Sequence, residues 1–230
     1  MSLNLVSRFC GSVYVIQCEG CIVWGEEEKS FDALLEHRAH EFTRVVLNFS
    51  KLTRMDSMGL GLLVRHAIRL RRRGGDIRLA AAPPFIAALL HLTKLTDLLQ
   101  SFPTEEDAIL SFLMQPSPHN TEQKRGLRVL AFDDSADLCS FVRSVLTQYG
   151  FDVTTTCSFR DARTLLRVNH ADYILVGPGT PQLPSIEVLE ELRTLAPKAS
   201  PLRLDANFKS SDVLEATQTL LQIFGVSAAS

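Results

Sequence analysis

The sequence predicts an α/β protein in two parts. The first half is expected to form a mixed sheet with helices, and the second a parallel, doubly wound sheet. Three observations carry this. Strand-like and helix-like stretches alternate along the whole chain with short connections. The segment "QPSPHNTEQKRG", residues 115–126, has two prolines and almost no apolar residues, and it divides that alternation. The chain of 230 residues is 46% hydrophobic and 22% charged, which supplies apolar material for buried cores. The expected domains are residues 1–114 and 127–230, joined by a linker at 115–126.

The first half opens on an expected hairpin. "SVYVIQC" and "CIVWG" are strand-like, with Glu19-Gly20 as the turn. The same stretch holds "CEGC", Cys18 to Cys21, which has the spacing of half a zinc site or of a redox pair. No second Cys/His pair with ligand spacing occurs. An odd count of five cysteines, with no signal peptide, argues against a disulfide framework. A short helix is expected over Phe31 to His40, followed by a buried strand, "RVVLNF", from Arg44 to Phe49. After "SKLTRMDS" a helix runs from Ser57 to Arg73, stopped by Gly74-Gly75. "DIRLA" reads as a strand, "PPFIAALLHL" as a helix and "LLQSF" as a short strand. Thr104 caps a last helix, with Asp107 in the capping-box position.

The second half starts with the strand "LRVLAF", two aspartates, and a helix from Ala136 to Tyr149 that Gly150 ends. "DVTTT" is a strand, "RDARTLLRV" a helix and "DYILV" a buried strand. A helix from Ile186 to Leu195, the short strand "LRL", and a helix from Asp212 to Phe224 complete it. Alternation with short connections implies parallel pairing.

Function concentrates at "RMDSMGLGLL", Arg54 to Leu63. Leu60, Leu63, Val64, Ala67, Ile68 and Leu70 recur at helical spacing, so Ser57 lies at the first turn of an amphipathic helix. Backbone N–H groups are unpaired there and the dipole is positive. Asp56 or Ser57 as a plain N-cap explains the acid and the serine. It leaves Gly59 and Gly61 unexplained, since each costs about 1 kcal/mol against alanine inside a helix. They make sense where another backbone or a partner must come close.

"FSKLTRMDSMGLGLL" resembles the signature of STAS domains, specifically of bacterial anti-sigma-factor antagonists. That signature is a buried strand, then Asp-Ser-x-Gly-[Leu/Val/Ile]-[Gly/Ala], then an amphipathic helix. It matches at Asp56, Ser57, Gly59, Leu60 and Gly61. "GGDIRLAAAPP" and "LTKLTDLLQSFPTEEDAI" fit the surrounding order, so the resemblance covers about the first half and implies a STAS-type mixed sheet. It implies further that Ser57 is phosphorylated by a serine kinase that is itself the anti-sigma factor. Asp56, Ser57, Met58, Gly59 and Gly61 would then form part of the surface that this ATP-binding partner meets. The alternative within the same resemblance is a STAS scaffold or adaptor that assembles as a homo-oligomer.

"VLAFDDSADL" places Asp133 and Asp134 just after a buried strand, where ligands sit in open α/β sheets. Adjacent acids there suit a hard cation such as Mg²⁺; the other reading is a helix N-cap region. The stretch resembles the start of a response-regulator receiver domain. "YILVGPGTPQLPSIEVLEELRTLAPKASPLRLDA" follows that family's third strand, third helix and fourth strand. The departures are specific. Gly177 stands where the phospho-accepting aspartate belongs, and Asp205 where a Thr or Ser belongs. Lys209-Ser210 corresponds to the Lys-Pro pair, too close to Asp205 for the usual fourth helix and fifth strand. The resemblance therefore implies a pseudo-receiver with a truncated flavodoxin-like sheet. Asp133 and Asp134 lack a third carboxylate to complete a metal site.

The remaining features exclude more than they assign. Net charge is −2, which gives no global pull toward nucleic acid or anionic lipid. "RLRRR", Arg69 to Arg73, reads as the solvated, dipole-favoured end of its helix, and no aromatics interleave with it. No apolar run approaches a membrane span, and the N-terminus lacks a signal-peptide core, so a cytoplasmic protein is expected. The six histidines make no metal-binding spacing, and neither a P-loop nor a nucleophile elbow occurs. The expectation is a binding protein rather than an enzyme. It carries no cofactor, and it contacts neither nucleic acid nor membrane directly.

Overall fold

The computed structural model describes residues 2–39, 42–114, 126–179, 185–208 and 213–225. Contacts divide the chain into two compact units, Met1–Pro118 and His119–Ser230. The expected linker, residues 115–126, lies almost wholly outside the described residues.

In the first unit, β1 (Asn4–Cys10) and β2 (Val13–Ile22) form an antiparallel hairpin. The elements α1 (Glu26–Ala39), β3 (Arg44–Met55), α2 (Ser57–Arg71), β4 (Asp76–Ala80), α3 (Pro84–Leu92), β5 (Gln100–Phe102) and α4 (Glu105–Leu113) follow. The strand order is β5-β4-β3-β2-β1, with every pair but the hairpin parallel. Sequence reading placed the hairpin one strand too late. Its turn is Gly11-Ser12, where Gly11 adopts the positive φ of +60° that tight two-residue loops need. Glu19-Gly20 lies inside β2. Gly20 has φ +99° at a register shift against β3, and a Cβ there would collide with the Ser2 carbonyl oxygen. "CEGC" is thus a bulged strand. Cys18 is buried in the core, and Cys21 Sγ lies 3.3 Å from Thr53 Oγ1.

The sheet is mostly apolar where it meets the helices. Ile16, Leu47, Phe49, Ile77 and Leu79 pack with Phe31 of α1, Leu63 and Leu70 of α2 and Ile86 of α3. Glu26, Glu27 and Glu28 form the first turn of α1, where acids suit the dipole. Thr104 caps α4 as expected, its Oγ1 accepting from the Asp107 N–H at 3.1 Å. The buried Glu105 accepts from Arg8 at 2.7 Å and from Asn48 at 2.6 Å, which ties α4 to β1 and β3 through a paired charge.

The second unit consists of β6 (Arg128–Phe132), α5 (Ala136–Gln148), β7 (Asp152–Thr156), α6 (Phe159–Val168), β8 (Tyr173–Val176), α7 (Ser185–Leu195), β9 (Ser200–Arg203) and α8 (Val213–Ile223). Its strands lie in the order β7-β6-β8-β9 and are all parallel. This is the doubly wound, flavodoxin-like order without a fifth strand among the described residues. The apolar β6 and β8 sit at its centre, and Val129, Leu146, Leu175 and Leu220 share its core.

Candidate functional site

β3 delivers the chain to the site. It runs through "SKLTRM" to Met55, longer than its apolar half suggests, because the end of β2 pairs with it as far as Ile22↔Met55. Asp56 follows in an extended conformation, φ −102° and ψ −178°, and is the N-cap of α2. Its Oδ1 accepts from the Gly59 N–H at 2.9 Å, and its Oδ2 from the Trp24 N–H at 2.8 Å. Its own N–H donates to the Ile22 carbonyl at 3.2 Å. One residue thereby fastens the start of α2 to the loop after β2. Those two N–H donors, Gly59 first and Trp24 second, hold the Asp56 carboxyl below the usual carboxylate range.

Ser57 is the first helical residue, and it is exposed. Asp56 already fills the capping position, and among the described residues no hydrogen bond engages the Ser57 hydroxyl. Met58 beside it is 50% exposed, and Trp24 is 75% exposed. The two glycines separate into different roles. A Cβ on Gly59 would lie 2.7 Å from the Ile22 carbonyl oxygen and 2.8 Å from Ile22 Cγ2, so Gly59 serves the protein's own packing. A Cβ on Gly61 would meet nothing within 4 Å. Nothing inside the unit requires that glycine.

Two arginines of the run at the far end of α2 are paired. Arg69 pairs with Glu36. Arg71 pairs with Asp76 at 2.8 Å and donates to the carbonyls of Asp97 at 3.1 Å and Leu98 at 2.8 Å. Gly74, at φ +75°, follows the end of the helix. Arg71 thus closes the helix end onto its neighbours.

The corresponding strand-to-helix junction of the second unit is built differently. Asp133 is 3% exposed. Its Oδ1 accepts from the Ser135 N–H at 2.7 Å and its Oδ2 from the Gly179 N–H at 2.7 Å. The cap of α5 is Ser135, whose Oγ accepts from the Leu138 N–H at 3.2 Å, so neither aspartate caps the helix. Asp134 is exposed; partial burial and then the charge of Asp133 push its carboxyl up. A Cβ on Gly177 would lie 2.6 Å from both Cβ and Cγ of Asp133. Asp133 thus occupies the space next to Gly177 that a side chain there would need. Among the described residues no group of three or more His, Cys, Asp or Glu side chains could hold a metal ion. With both Asp133 oxygens engaged by backbone N–H groups, the donor set does not fit Mg²⁺. Asp205 accepts from the Asn207 N–H at 2.8 Å, and Lys209-Ser210 lies outside the described residues.

Residues 4–108 match the STAS domain family. The chain carries a STAS domain at its N-terminus. Solved structures similar to part of the chain include an anti-sigma-factor antagonist from Mycobacterium paratuberculosis. It is 20% identical, covers 48% of this chain and 93% of its own, and gives a TM-score of 0.44. The Bacillus cell-fate determinant SpoIIAA in its phosphorylated form is 22% identical over 48% of this chain and 99% of its own, at 0.41. The chemotaxis response regulator CheY4 of Vibrio cholerae is 21% identical over 44% of this chain and 97% of its own, at 0.37. No helix among the described residues is long and apolar enough to cross a membrane.

Sequence reading named Asp56, Ser57, Met58, Gly59 and Gly61 as candidates, and the structure places Asp56 at the cap and the other four in the first turns of α2. It missed Trp24. The signal available was a lone tryptophan next to Gly25, at the end of an apolar strand.

Proposed function

We infer that this chain is a cytoplasmic anti-sigma-factor antagonist that acts on transcription by binding an ATP-binding anti-sigma factor and serine kinase. Phosphorylation of Ser57 releases that partner. The observation that carries the reading is the division of labour at α2: Asp56 does the capping, and the neighbouring Ser57 hydroxyl is exposed and unengaged. Transfer of the γ-phosphoryl group of ATP to Ser57 Oγ, with release of ADP and of the hydroxyl proton, places about −1.5 to −2 of charge at this point. A helix N-terminus tolerates an anion, so the fold survives. A docking surface does not tolerate it as well. The charge would lie beside Asp56, Met58 and Gly61, and an unpaired charge desolvated in an interface costs several kcal/mol. The chain itself supplies the binding surface and the acceptor rather than a catalytic group. The test is incubation of the full chain with a purified anti-sigma kinase and ATP, followed by peptide mapping. One phosphoryl group on Ser57 and loss of the complex are expected. A stable complex that survives full phosphorylation overturns the reading.

The second half is read as a pseudo-receiver and residues 1–114 as an independent domain. Gly177, closed over by Asp133, supports the former. Acetyl phosphate with Mg²⁺ should leave the intact mass unchanged; an acyl phosphate on any aspartate after residue 126 overturns it.

A further inference from the structure

The second unit holds two cysteines that the reading above leaves unused. Cys139 lies in the first turns of α5 and is 1% exposed; Cys157 directly follows β7 and is half-buried. Cys139 Sγ is 3.4 Å from the carbonyl oxygen of Thr156, whose peptide leads into Cys157, and 3.5 Å from that of Asp133. The Cys139 thiol thus lies against the peptide that leads directly into Cys157. The other cysteines are placed otherwise. Cys10 and Cys18 are buried, and Cys21 turns toward Thr53.

The geometry points to Cys139 and Cys157 as a redox modification site that closes to a disulfide when the protein meets hydrogen peroxide. The pair is asymmetric in the way such chemistry requires. The neighbouring Cys157 thiol and then burial keep the proton on Cys139. Cys139 in turn favours the thiolate on Cys157, against burial and the carboxylates of Asp133, Asp134 and Asp161. Cys157, the more accessible, is the attacking group. Its sulfur takes one oxygen of the peroxide as the O–O bond breaks, giving a sulfenic acid and hydroxide. Cys139 then gives up its proton as its sulfur attacks that of Cys157. The S–S bond forms, the S–O bond breaks, and the departing hydroxide takes the proton as water. The net change is two thiols and one peroxide to one disulfide and two waters. The bridge would pin the first turns of α5 to the end of β7, next to the buried Asp133.

The experiment treats the reduced full chain with hydrogen peroxide and reads intact mass and a non-reducing digest. A loss of two hydrogen atoms is expected, with one Cys139–Cys157 linked peptide that dithiothreitol separates. Cys157→Ser, at the half-buried position, should abolish the link and leave Cys139 reduced. Cys139→Ser should leave Cys157 as a sulfenic acid that a cyclic 1,3-diketone traps. Calorimetric melts check folding, and the wild type and Cys157→Ser suffice where Cys139→Ser does not fold. A link to any other cysteine overturns the proposal. So does overoxidation of Cys157 with Cys139 still free, or both thiols unchanged after the peroxide is consumed.

Discussion

The dipeptide Asp-Ser occurs at the end of a central strand in both units, as Asp56-Ser57 and Asp134-Ser135, and the two copies divide their work in opposite ways. In the first, the aspartate caps the helix and the serine begins it with its hydroxyl exposed. In the second, the serine caps the helix, and the acid before the pair, Asp133, is buried and fully engaged. A shift of one residue in where the helix starts decides which side chain faces solvent unengaged. A motif match at such a junction therefore says little until the capping residue is known.

The comparison can be broken or sharpened at several points. The largest effect is expected at Gly177. Gly177→Ala pushes a methyl group into Asp133 and should destabilise the second unit by about 1–3 kcal/mol, read from denaturant unfolding. An unchanged midpoint would mean that Asp133 is not wedged there. Next comes Ser57→Asp, which should weaken the anti-sigma kinase complex at least about tenfold, roughly 1.4 kcal/mol, in a calorimetric titration. Ser57→Ala should bind like the wild type and resist release by ATP. Equal affinity for all three proteins would remove the switch. The serines themselves give the third test. Ser135→Ala should cost about 1 kcal/mol as a lost cap, whereas Ser57→Ala should stay within about 0.5 kcal/mol. Similar losses at both sites would erase the contrast.

Gly61→Ala should stabilise the first unit by about 0.8 kcal/mol, since its new methyl group meets open space within a helix. It should nevertheless weaken the kinase complex; a stabilised variant with undiminished affinity would place the interface elsewhere. The smallest effect concerns pH. The folded Asp56 carboxyl titrates below its unfolded value, so it adds stability above about pH 3.9 and loses that contribution as pH falls through the folded pKa. Stability of Asp56→Asn should therefore fall less steeply on acidification than that of the wild type; parallel curves would show that Asp56 contributes nothing to the slope.

The α/β alternation was legible because glycines and prolines punctuate it. "DIRLA" matches β4 residue for residue, and Gly74 and Gly150 mark helix ends at positive φ. The hairpin was misplaced because a Cys-Glu-Gly-Cys stretch looks like a turn when only neighbours are considered. The bulge at Gly20 is a register shift against β3, and the carbonyl that excludes a Cβ there comes from Ser2, ahead of β1. The polar half of β3 was missed for a related reason: its pairing with β2, and not apolar content, keeps it extended. At the candidate site, the place of Ser57 at a helix start could be read from local pattern. The Asp56–Trp24 bond spans 32 positions, and the burial of Asp133 depends on Gly177 and Gly179. Both are properties of the assembled fold.

That bond to Trp24 has a practical consequence. Trp24 is the one tryptophan in the chain, so all indole emission originates in the loop that Asp56 holds beside Ser57. The ring is mostly in water in the free protein. A partner that covers the Ser57 surface would dry it and move its fluorescence to shorter wavelength. The protein carries an unlabelled optical reporter at the place where its proposed switch operates.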